Sequence, residues 1–151
     1  MNQIYVKAKL QFGEKQFSIA TTHLKAKPKF EDIRHVQAKQ LVNALTEGQN
    51  HIVCGDFNDV PDSKPLREMC TQYESASVKF AGKEPEFTTY KYRESEGMKK
   101  RVIDFVLVKA GVKVVGQLDM PVQEDIDSHM GNPCKNHPSD HYSLCFELDL
   151  S

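Results

Sequence analysis

Asp56 and Asn58 stand one residue apart in HIVCGDFNDVP, directly after a short apolar run. At a strand end, residues i and i+2 face the same way. The spacing therefore predicts that these two side chains project together while Phe57 turns into packing. A carboxylate can hold Mg²⁺ or accept a proton, and a neutral carboxamide beside it can orient a water or bond an oxyanion. Gly55 permits close approach of the backbone. Taken alone, GDFN also reads as a turn, because Asp and Asn are good turn formers.

Asp104 lies in RVIDFVLV, on one face with Val102, Val106 and Val108. A carboxylate on so apolar a strand is costly unless paired. Either it reaches solvent or Arg101, or it holds a histidine from a neighbouring strand. PSDH, just before the final strand, supplies Asp140 and His141, a pair suited to acid–base work or transition-state stabilisation. His23 ends a strand and shares its face with Phe17, Ile19 and Thr21, so simple burial is one reading of it. Lys25 and Lys27 follow and add local positive charge suited to phosphate, though two lysines also make an ordinary solvated loop. His129, Cys134, His137 and His141 have ligand types that zinc uses, at spacings unlike a standard finger. Tyr90-Lys91-Tyr92-Arg93 reads as a base-stacking stretch or an exposed strand edge.

The elements that must position these groups follow from periodicity. Alternation over Ile4–Phe12 predicts a half-buried strand, Gly13-Glu14-Lys15 a tight turn, and Gln16–Leu24 a returning strand. Ile33, Val36, Leu41 and Leu45 recur at helical spacing over Glu31–Glu47, with Gly48 as the stop. His51–Cys54 is a buried strand. Ser63 and Pro65 open a short helix to about Cys70. Further strands are predicted at Phe87–Tyr92, Arg101–Val108, Val112–Leu118 and Tyr142–Leu150, with a loop over Pro121–Pro138. Strands outnumber helices without strict alternation. The class is therefore α/β in the α+β sense, a mixed sheet or layered sandwich with flanking helices rather than a doubly wound parallel fold.

The totals bound the function. The 151 residues make one domain's worth of chain, and 20 basic against 21 acidic side chains leave a net charge of −1, so no general polyanion surface is implied. There is no apolar run of membrane-spanning length and no signal core in MNQIYVKAKL. The four cysteines are expected to be reduced thiols of a cytoplasmic-type compartment, with mitochondrial or nuclear placement left open.

The order THLKA, GDFN, an Asp inside an apolar strand, then PSDH before the last strand resembles the endonuclease/exonuclease/phosphatase superfamily. The opening strands, IVCGDFN…P, and EPEFTTYK before RVIDFVLV are similar to its nocturnin and CCR4-type branch, nocturnin above all, over about Asn2–Leu150. The resemblance implies a DNase I-like, four-layered, two-sheet α/β sandwich, of which residues 1–151 would be the C-terminal half. It implies a Mg²⁺ cofactor, with Mn²⁺ as substitute, near Asp56, Asn58, Asp140 and His141. Asp104 would orient His141, His23 would stabilise charge on the reacting phosphate, and Lys25 and Lys27 would contact substrate phosphate. Family members carry an Asn and a Mg²⁺-binding Glu in an N-terminal half, for which this sequence offers no counterparts. The implied substrate is NADP(H), losing its 2′-phosphate, with 3′-shortening of poly(A) RNA as the alternative and a non-catalytic fragment as a third reading. A half-sandwich would expose an apolar sheet face and self-associate through it.

Overall fold

The computed structural model describes residues 4–45, 51–120 and 131–150. Strand β1 (Tyr5–Phe12) and strand β2 (Lys15–His23) form the predicted hairpin, antiparallel from Tyr5↔Thr22 to Phe12↔Lys15. A 3₁₀ turn at Pro28–Phe30 leads into α1 (Glu31–Ala44). The predicted extension of this helix to Glu47 and the Gly48 stop lie outside the described residues. Strand β3 (His51–Asp56) runs parallel to β2, as the crossover helix between them requires. It is followed by α2 (Lys64–Met69), β4 (Tyr73–Ser75) and α3 (Ala76–Ala81). Strands β5 (Thr89–Arg93) and β6 (Gly97–Arg101) make a second hairpin. Strand β7 (Asp104–Lys109) is antiparallel to β3, and β8 (Lys113–Gln117) pairs with β9 (Phe146–Asp149).

The main sheet has the order β1-β2-β3-β7-β4. Register sorts its side chains into two faces. Ala20, Leu24, Val53, Phe57, Phe105 and Leu107 meet Leu41, Val42, Leu66 and Met69 of the helices in one core. On the other face, Ile52 and Val108 pack with Ala76 and Val112, flanked by Phe17, Ile19, Phe146 and Leu148. The β8–β9 pair thus covers part of this face. Ile4, Val6, Leu10 and Phe12 of the edge strand remain exposed, Phe12 at 82%.

Several expectations need correction. β1 is exposed on both faces rather than half-buried. RVIDFVLV is not one strand. Arg101 ends β6 and Asp104 begins β7, because Val102 and Ile103 cross from the second hairpin into the main sheet. Ser63 occupies the cap position of α2, but its hydroxyl makes no capping bond. The final strand is limited to Phe146–Asp149, since residues 140–142 pair with the segment preceding and opening β5 instead. The four cysteines form no disulfide, and no described helix is long and apolar enough to cross a membrane.

Candidate active site

Register alone gathers three of the predicted groups. His23 is opposite Asp56 across β2 and β3, and Asp56 is opposite Asp104 across β3 and β7. All three stand at one rim, on the face that carries Phe17, Ile19, Ile52 and Val108. His23 is exposed rather than buried, at 67% of its side chain, with its Nε2 3.4 Å from Asp56 Oδ2.

His141 arrives from outside the sheet. Tyr90 N–H bonds Asp140 O, Tyr142 N–H bonds Thr88 O, and Thr89 bridges His141. These bonds set the imidazole against β7, with Nδ1 3.0 Å from each oxygen of Asp104. An ionised carboxylate only accepts, so Nδ1 carries the proton and Nε2 is the nitrogen left for a substrate oxygen. The buried Thr88 completes the arrangement. Its hydroxyl donates to Asp104 Oδ2 at 2.7 Å and accepts from the backbone N–H of Ile103 and Asp104, at 3.0 and 3.1 Å. Asp104 is therefore tolerable on an apolar strand because two donors, His141 and Thr88, satisfy its carboxylate, and the main-chain N–H groups behind Thr88 polarise that hydroxyl.

Asp56 closes the strand, and the chain then turns sharply. Phe57 is fully buried, edge-on to Phe105 at 5.7 Å between centroids. Asn58 adopts φ 51, its N–H bonds Asp56 Oδ1 at 2.7 Å, and its side-chain amide donates to Leu24 O at 2.9 Å. Burial pushes the Asp56 carboxyl above its ordinary range, against the Asn58 N–H, and the nearby Asp104 charge pushes the same way. Two carboxylates this close call for a positive partner. Asp56, Asp104 and His141 each offer one ligand atom, all within 4.8 Å of one another. With Asp104 already engaged by His141 and Thr88, Asp56 is the carboxylate of the group best placed for a hard cation that keeps most of its water, and such a donor set fits one.

The remaining predicted residues separate. Asp140, expected in the metal region, is engaged elsewhere: its Oδ2 accepts from Lys91 Nζ at 2.6 Å. Burial works to raise its pKa, but the Lys91 bond and charge outweigh that and hold the carboxyl below its ordinary range. Lys25 sits with its ammonium 5.1 Å from the Phe30 ring centroid, while Lys27 lines a cavity beside His141. The zinc reading is not supported. His129 lies outside the described residues, His137 bonds Ser139 O and stacks on Tyr142, and His141 is committed to Asp104.

That cavity, about 310 Å³, was not foreseen. It joins Asn58, Thr89 and His141 to Lys27, Lys91, Arg93, Lys99 and Arg101, with no carboxylate among the described residues of its lining. The Tyr90–Arg93 stretch points its cations here, so its charge rather than its rings faces the site. The signal in the sequence is the set of basic residues on one face of a hairpin, Lys91 opposite Lys99, with Arg93 and Arg101 beside them, visible once the hairpin register is known.

The Endonuclease/Exonuclease/phosphatase family model matches residues 6–141. This chain belongs to that family. It is 34% identical to nocturnin of Homo sapiens over 168 aligned residues, covering 99% of this chain and 38% of that protein. It is 27% identical to 2′,5′-phosphodiesterase 12 of Mus musculus, covering 97% and 28%. Among solved structures, the human nocturnin catalytic domain with bound sulfate anion superposes with a TM-score of 0.75 at 28% identity, over 99% of this chain and 53% of that one. An endonuclease/exonuclease/phosphatase from Bacteroides vulgatus shares the fold at a TM-score of 0.74 and 20% identity. The chain thus spans well under half of the curated relatives it matches and about half of the solved catalytic domain. For this family, then, the DNase I-like α/β architecture is as expected, and the group at the sheet rim is the feature on which a function must rest.

Proposed function

We propose that this chain is the C-terminal half of a nocturnin-type phosphohydrolase domain and carries the half of its site that grips and polarises a phosphate. The observation that supports this most is the cavity in which five cations surround His141, itself fixed by Asp104 and Thr88. In this reading the substrate is NADP(H), and the bond broken joins the 2′-phosphate to the ribose. Lys27, Arg93, Lys99 and Arg101 neutralise phosphate oxygens and orient them. As an imidazolium, His141 donates its Nε2–H to the charge that develops on the phosphorus oxygens, while Asp104 accepts from Nδ1 and stabilises that cation. Asn58, tied down by Leu24, aligns the attacking water, and Asp56 stands beside it. Mg²⁺ held by Asp56, when bound, supplies electrophilic stabilisation and a more acidic water.

A cavity of this volume is at the small end of sites that enclose whole small molecules. That size favours a nucleotide over a strand of RNA, which needs a longer track of stacking platforms. Two observations support reading the chain as a partial domain: it matches about half of the solved catalytic domain, and its bare apolar strand face is continuous with the face holding His23, Asp56 and Asp104. A further carboxylate from the other half would complete the cation site, so turnover by this chain alone is expected to be weak or absent. Titrating NADP⁺ and, separately, an oligoadenylate into the chain with Mg²⁺ tests the reading. NADP⁺ binding weakened about tenfold by Arg93→Ala is the expected result. Preferential oligoadenylate binding would favour a 3′-exonuclease, and binding of neither would contradict the proposal.

A further inference from the structure

Arg34 is only 1% exposed, yet it lines no part of the His141 cavity. All its bonds go to two loops. Nε and Nη2 each lie 2.8 Å from Asp59 Oδ2, in the loop after β3. Nη1 donates to Lys25 O at 2.9 Å and Lys27 O at 2.7 Å, and Nη2 to Pro28 O at 3.4 Å, in the loop after β2. These loops present Lys27 and Asn58 to the site. They are also stitched together by Leu24 N–H to Asp56 O and by the Asn58 amide to Leu24 O. Lys27 holds φ 81 and ψ 134, a conformation a lysine adopts only where its surroundings impose it. The carbonyl of Lys27 is the acceptor of one of Arg34's shortest bonds.

We infer that Arg34 is a positioning residue that clamps the loop after β2 in this strained form, so that Lys27 faces the cavity and meets substrate phosphate. The inference rests on the phosphate-binding reading above. A planar fork of five donors can reach a carboxylate on one side and three carbonyls on the other at once, which a lysine ammonium cannot. A buried ion pair is not needed for stability, since well-packed apolar residues serve a core at least as well. What the pair adds here is a fixed relation between two loops.

The test is calorimetric titration of the 151-residue chain with inorganic pyrophosphate, for the wild type, Arg34→Lys, Lys27→Ala and the double variant. Each single change is expected to weaken binding about tenfold. The double variant should be no weaker than the weaker single one, because Arg34 acts through Lys27. Multiplying effects, an Arg34→Lys protein that binds as the wild type does, or an effect of Arg34→Lys without one of Lys27→Ala would each overturn the inference. Pyrophosphate that does not bind the wild type would instead overturn the phosphate-binding reading itself. Should Arg34→Lys fail to fold, Asp59→Asn loosens the same anchor from the other loop and must show the same non-additivity with Lys27→Ala.

Discussion

Asp104 sits on a strand of valines, leucine and phenylalanine, and its donors are what make it affordable there. That oddity was legible in the sequence, because a charge inside an apolar run demands a partner. His141 was legible as a candidate for the same reason that any histidine beside a strand end is. Thr88 was not, since a hydroxyl in a Thr-Thr doublet carries no periodic signal and its three bonds depend on the Val102–Ile103 crossover. Its removal gives a sharp prediction. Thr88→Val keeps the shape but removes one of the carboxylate's two donors and strands two backbone N–H groups, so it should cost about 2–4 kcal/mol, read from urea unfolding midpoints. A neutral outcome would mean that water replaces the hydroxyl. Asp140 gives a pH signature. Its folded pKa is depressed, so its pairing with Lys91 stabilises the fold above the unfolded carboxylate pKa, near 3.9, and is lost as pH falls through the folded value. The melting temperature of the wild type should therefore drop more steeply below about pH 4 than that of Asp140→Asn; parallel curves would show that the pair does not hold in solution.

At the scale of elements, the order of strands and the first helix could be read from periods of two and of about four. The short pieces could not. β4 has three residues and α3 six, too few for either period to show. The β5–β6 hairpin was hidden because Gly97–Arg101 is polar, with no apolar alternation to mark it. Gly55 shows how tightly two elements are joined at the site. Its φ is 146, and a Cβ there would lie 1.9 Å from the carbonyl oxygen of Thr22 on the neighbouring parallel strand. Gly55→Ala must push β2 and β3 apart just where His23 and Asp56 meet. A loss of about 3 kcal/mol or more is expected, together with loss of any cation-dependent rise in melting temperature. Wild-type-like stability would place the β2–β3 pairing in doubt.

At the scale of the whole molecule, helices close one face of the sheet, and the described residues cover only part of the other. Ile4, Val6, Leu10 and Phe12 form an apolar row on an edge strand, and unpaired strand edges with apolar faces invite association. The chain is expected to self-associate in sedimentation, and Leu10→Lys with Phe12→Lys should shift it towards monomer. A wild type that stays monomeric at high concentration would show that the row is tolerated bare. This face was foreseeable because alternating apolar residues on a first strand need a covering layer. The cationic cavity was not, because it is assembled from the loop after β2, the second hairpin and the approach to β9, and no sequence spacing joins them.

In the proposed reading His141, held by Asp104, faces a cavity that takes phosphate. The most direct measurement is ¹⁵N chemical shift of the His141 ring nitrogens during titration with pyrophosphate. A single tautomer with the proton on Nδ1 is expected for the free protein, lost in Asp104→Asn, with the Nε2 signal moving to its protonated position as pyrophosphate enters. Rapidly averaging tautomers in the wild type, with no response to pyrophosphate, would contradict it.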